Sequence, residues 1–107
     1  MSIGGARAYL HLRIRGRVQG VWFRGWTKRQ AEKRGLGGWV RNVSDGSVEI
    51  LACGTAKDLD DFLKACWSGP PSACVENVET QFFREGNLTN SITEDGFHEL
   101  PNYYLQE

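Results

Sequence analysis

Arg24 closes a segment, Gly16-Arg17-Val18-Gln19-Gly20-Val21-Trp22-Phe23-Arg24, whose residue types suit the binding of an anion. Glycines at positions 16 and 20 let the backbone curl until successive N–H groups point inward. A helix starting just afterward adds unpaired N–H groups and the positive end of its dipole. An arginine in the first turn of that helix adds a planar donor that can grip two oxygens of one phosphoryl group. The same residues also fit a tight strand-to-helix connection, with glycines that only relieve steric strain and an arginine that is solvated or ion-paired.

A second segment, Gly38-Trp39-Val40-Arg41-Asn42, runs into the turn pair Asp45-Gly46. The Asn42 amide both donates and accepts hydrogen bonds. It can hold a water molecule without competing for the charge on a phosphate, although shaping a turn is an equally ordinary task for asparagine. No histidine, cysteine or serine stands where a nucleophile is expected, and His11 and His98 fall outside both segments. No carboxylate cluster suggests a metal site, so neither a metal nor another cofactor is expected. Of the three cysteines, Cys53, Cys66 and Cys74, none forms a C-x-x-C pair, which argues against zinc and for reduced thiols. Cys66 and Cys74 flank Gly69-Pro70-Pro71, which leaves a pairing between them open.

These segments need elements to position them. From Ala8 to Arg15 the pattern alternates, with Leu10, Leu12 and Ile14 facing one way, as in a half-buried strand. Gly16 to Gly20 then reads as a tight loop. Residues 23–34 read as a helix with Phe23, Thr27 and Ala31 on one face, closed by Gly35-Leu36-Gly37. Trp39 to Val43 and Ser47 to Cys53 read as antiparallel strands joined through Asp45-Gly46. Thr55 and Asp58 form a capping-box pattern, and Leu59, Phe62, Leu63 and Cys66 follow helical spacing until the Gly-Pro-Pro stop. Val75 to Phe83 is a fourth strand, Glu85 to Gly96 a polar loop, and Phe97 to Leu100 a short edge strand. The order β-α-β-β-α-β predicts an α+β, ferredoxin-like sandwich: an antiparallel sheet with two helices on one face.

The 107 residues suit a single domain with a core of about residues 8–100. Forty per cent hydrophobic and eleven per cent aromatic residues suit a packed globule. Net charge is zero, yet residues 1–41 hold ten basic residues and one acid while residues 42–107 hold three basic residues and twelve acids. Either the first half is prepared for an anion, or the halves interleave and neutralise each other. No apolar run is long enough for a membrane span, and Met1 to Arg7 lacks the apolar stretch of a secretion signal. The expectation is therefore a cytoplasmic protein, so the glycosylation patterns at Asn42-Val43-Ser44 and Asn87-Leu88-Thr89 are discounted.

The two segments together closely resemble the acylphosphatase family. The resemblance continues through Asp45-Gly46-Ser47-Val48-Glu49, Gly54 and Gly69-Pro70-Pro71-Ser72-Ala73, and covers about residues 8–100. It implies hydrolysis of a small acyl phosphate to a carboxylate and inorganic phosphate. Position by position, it makes Arg24 the phosphate-binding arginine and Asn42 the water-orienting asparagine. It makes the backbone amides of Gln19, Gly20, Val21, Trp22 and Phe23 a phosphate cradle, with Thr27 behind the site. Trp22 departs from the glycine many members carry, and is placed to narrow the mouth of the site or stack on the acyl group. The tail 101–107 lies beyond the family pattern and receives no role. The implied protein is a monomer without nucleic-acid or membrane partners. An RNA-recognition domain shares the element order, but the aromatic-rich third-strand signature is absent from Ser47 to Cys53. A non-catalytic anion-binding module on the same scaffold is the remaining alternative.

Overall fold

The computed structural model describes residues 7–84 and 96–106. The expected loop from Glu85 lies outside the described residues except for Gly96, as does the Asn87-Leu88-Thr89 pattern. The elements run β1 (Ala8–Arg17), α1 (Phe23–Lys33), β2 (Gly37–Asn42), β3 (Val48–Gly54), α2 (Ala56–Ser68), β4 (Cys74–Arg84) and β5 (Phe97–Glu99). They form one sheet in the order β4-β1-β3-β2-β5. In the β4-β1-β3-β2 part the two middle strands are the first and third in sequence, as the split βαβ arrangement requires.

Four of the strands pair antiparallel as expected: β1 with β3 and β4, and β2 with β3. The fifth is different. β5 pairs parallel to β2, with Gly38 opposite Phe97 and Val40 opposite Glu99, so the sheet is mixed. β4 ends at one edge while β5 occupies the other, and two-residue periodicity carries no information about the direction of a neighbour. The first strand also runs further than the pattern suggests. Gly16 and Arg17 still pair with β4, across a register shift between Arg15 and Gly16, so the loop shortens to residues 18–22.

Both helices cover the same face. Leu10, Leu12 and Ile14 of β1, Val40 of β2, Val48, Ile50 and Ala52 of β3, Val78 of β4 and Phe97 of β5 join Phe23 and Ala31 of α1 and Leu59, Phe62 and Cys66 of α2 in one buried cluster. Alternation puts every second side chain of each strand into that cluster. Edge-to-face contacts, Phe23 on Trp26 and Phe62 on Phe97, fill the space between helices and sheet. Burial pushes the Cys66 thiol up, and all three cysteines are free thiols. No described helix is long and apolar enough to cross a membrane.

The opposite face of the sheet is charged. Glu49 lies under it with one carboxylate oxygen 2.7 Å from His11 Nε2 and the other accepting from Arg41 Nε at 2.7 Å. Asp45 takes Arg13 and Arg15, each at 3.3 Å, and Arg15 also donates to Glu79. Every residue of β3 is buried, because strands flank it on both sides and these two layers cover its faces.

The hydrogen bond from His11, with the Arg41 hydrogen bond and charge added, holds the Glu49 carboxyl at about 2, below its ordinary 4.5, against the opposing effect of burial. A depressed folded-state value means that its stabilising contribution is complete above pH 4.5 and is lost as pH falls toward 2. Urea midpoints measured from neutral pH downward should therefore fall across that window. The same titration of Glu49→Gln should lack that part of the fall; an identical profile would contradict the assignment.

Candidate active site

The two helices begin in opposite ways. At α2 the Thr55 hydroxyl accepts the Asp58 N–H at 3.2 Å, an ordinary side-chain cap. At α1 the cap position is Trp22, which has a left-handed backbone (φ 66°, ψ 28°), no side-chain cap and no acid in the following turn. The first N–H groups of a helix have no partner inside it. Those of Phe23, Arg24 and Gly25 precede the first helical bond, from Trp26 N–H to the Trp22 carbonyl. Gly20, two residues earlier, also has positive φ at 75°, which glycine adopts without strain. These two reversals turn the chain sharply between β1 and α1.

Asn42 is brought to the same place through Gln19. The Gln19 side-chain amide donates to the carbonyls of Val43 and Ser47, both at 2.8 Å. Those carbonyls belong to the connection between β2 and β3, so one side chain ties the loop before α1 to the turn just after Asn42. The outcome is a pocket of about 130 Å³ lined by Val18, Gly20, Trp22, Phe23, Arg24, Gly25, Asn42 and Glu99.

Of the residues expected from sequence, Arg24, Asn42, Gly20, Trp22 and Phe23 line this pocket together. Gln19 and Val21 do not line it with their side chains: the first makes the tether, and the second packs against the core. Thr27 lies one turn beyond Phe23 on the buried face of α1, fully buried. Its hydroxyl has no hydrogen-bond partner among the described residues.

Three participants escaped the sequence reading. Glu99 reaches the lining from β5, whose side-by-side placement with β2 is a long-range fact. The tail, which carried no expected role, lies along the site. Tyr103 N–H donates to the Asn42 carbonyl and Ser44 N–H to the Tyr103 carbonyl, each at 2.8 Å. The Tyr103 ring lies 4.1 Å from the Arg41 guanidinium, which also covers Trp39. Asn102 Oδ1 accepts from Arg24 at 3.2 Å. The tail was illegible because a lone Asn-Tyr pair has no periodic signal.

The charge asymmetry resolves both ways. Arg13, Arg15, Arg34 and Arg41 pair with acids from the second half of the chain. Arg24 forms no ion pair among the described residues, and its hydrogen bond to Asn102 is to a neutral amide. Its positive charge therefore remains undischarged at the mouth of an uncapped helix.

The acylphosphatase family model matches residues 10–98, most of the chain and all of the pocket up to β5. The chain belongs to the acylphosphatase family. An acylphosphatase of Bradyrhizobium diazoefficiens is 43% identical over 96 residues, covering 90% of this chain and 97% of that one. Among solved structures, the acylphosphatase from Bacillus subtilis superposes with a TM-score of 0.78 at 33% identity, over 87% of this chain and 98% of its own. The acylphosphatase from Coxiella burnetii gives 0.77 at 33% identity, over 89% and 94%. Acylphosphatase membership and the ferredoxin-like fold together support an enzyme that hydrolyses acyl phosphates, and they do not favour an RNA-binding or non-catalytic module.

A buried hydroxyl without a partner is destabilising. Thr27→Val, which replaces it with a methyl group of similar shape, should raise stability by about 1 kcal/mol in urea denaturation while leaving hydrolysis intact. A loss of stability would mean that the hydroxyl has a partner.

Proposed function

We propose that this chain cleaves acyl phosphates by direct attack of a positioned water on phosphorus. The observation that carries this reading is the uncapped start of α1, where its first N–H groups and Arg24, bonded only to the neutral amide of Asn102 among the described residues, border the pocket that Asn42 lines. In it, the backbone amides from about Gln19 to Phe23 and the Arg24 guanidinium bind the phosphoryl dianion. These donors are in place beforehand, so they stabilise the charge that spreads over the transferring group without rearranging. Arg24 exchanges its neutral Asn102 partner for phosphate oxygens, a stronger, charge-assisted pairing.

Asn42 fixes a water opposite the leaving oxygen, which turns attack into a positioned, near-unimolecular step. Its own place is held by strand pairing with Val48 and by the Tyr103 N–H on its carbonyl. The oxygen of the water bonds to phosphorus as the bond from phosphorus to the acyl oxygen breaks, and the departing carboxylate takes the bonding pair. A carboxylate is a weakly basic leaving group and leaves without a general acid. The proton of the water passes to a phosphoryl oxygen. Positioning and electrostatics carry the step, as is usual in phosphoryl transfer. Thr27, packed behind Phe23, keeps the floor of the cradle in place.

Purified protein should release inorganic phosphate from benzoyl, acetyl and carbamoyl phosphates. Arg24→Ala should lose both binding and rate, with kcat falling about 10²–10³-fold, the range seen when one donor to a developing charge is removed. Activity comparable to that of the unaltered protein in Arg24→Ala would remove this reading. Asn42→Ala should lower kcat while inhibition by inorganic phosphate persists. Weakened phosphate inhibition with kcat intact would instead place Asn42 in the cradle.

A further inference from the structure

At about 130 Å³ the pocket is well below the ~300–1,000 Å³ of sites that bury drug-sized ligands. It has room for a phosphoryl group with at most a small acyl group, so a larger acyl group must emerge across the rim. Trp22 lines this pocket and is 57% exposed although it is a large aromatic.

Its indole is held rather than free. A left-handed backbone is uncommon for a bulky residue and persists only when the surroundings enforce it. Here Gly25 provides the room: a Cβ at that position would collide with Nε1 and Cε2 of the indole, so the ring lies against bare backbone of the first turn of α1. One turn further, the Arg29 guanidinium lies over the same ring, 5.1 Å from its centroid. A left-handed cap, a glycine three residues on and an arginine four beyond that fix one aromatic surface beside the opening that Arg24 lines. Glu99, from β5, lines the same pocket.

We propose that Trp22, held by Gly25 and Arg29, is the acyl-group subsite and selects acyl phosphates whose acyl group is flat, apolar and uncharged. Offset or edge contact with the indole favours a planar acyl group, and the Glu99 carboxylate disfavours one that carries its own negative charge. This rests on the assignment of the Arg24 pocket to the phosphate.

The test is the ratio of kcat/KM for benzoyl phosphate to that for acetyl phosphate. Any injury to the phosphate cradle affects both substrates and cancels in the ratio. Trp22→Asn keeps a residue that tolerates a left-handed backbone. It should lower the ratio about fivefold, chiefly through KM for benzoyl phosphate, in the range expected for one lost aromatic pair. Trp22→Phe should restore most of it, and Arg29→Gln should give an intermediate value. A ratio unchanged in Trp22→Asn, with both substrates turned over, would overturn the subsite alone. Failure of the unaltered protein to hydrolyse either substrate would overturn the phosphate assignment and this proposal with it.

Discussion

The two hydrogen bonds from the Gln19 amide to the carbonyls of Val43 and Ser47 carry the geometry of the candidate site. They join segments more than twenty residues apart that do not otherwise share an element. A side-chain amide is suited to this because its two N–H donors can satisfy two carbonyls at once. With both donors used, the loop before α1 is fixed against the β2–β3 connection. Arg24, one residue into the helix, and Asn42, at the end of the strand, then border one pocket.

The rest of the structure supports that junction with ordinary devices. A buried cluster from five strands and two helices holds α1 against the sheet. On the other face, Glu49 binds His11 and Arg41, and Arg41 in turn stacks on Tyr103 of the tail. A continuous set of contacts thus runs from the charged sheet face to the peptide groups of Asn42. Arg13, Arg15, Lys28 and Arg34 form ion pairs elsewhere, whereas Arg24 forms none among the described residues.

Local preferences are met almost everywhere and set aside at the site. α2 has a hydroxyl cap and a buried stripe, and its boundaries follow from them. α1 begins with a tryptophan in a left-handed conformation and no cap. Departures from local rules gather at functional positions because donors satisfied within the protein cannot also bind a ligand. The same departure leaves the indole of a pocket-lining residue exposed.

By itself, the sequence determined the element order, the buried faces of β1, α1 and α2, the hairpin at Asp45-Gly46 and the residues Arg24 and Asn42 as candidates. These are local: alternation, helical spacing, caps and turn chemistry act within a few residues. The link between Arg24 and Asn42 came from resemblance to a family, since spacing does not say that two segments meet. Tertiary structure alone decided that β5 runs parallel beside β2, that Glu99 and Asn102 border the site, and that Gln19 serves as a tether rather than a lining side chain. Each of these depends on contacts between residues far apart in sequence, and no periodicity records which distant partner an edge strand, a tail or a side-chain amide will meet.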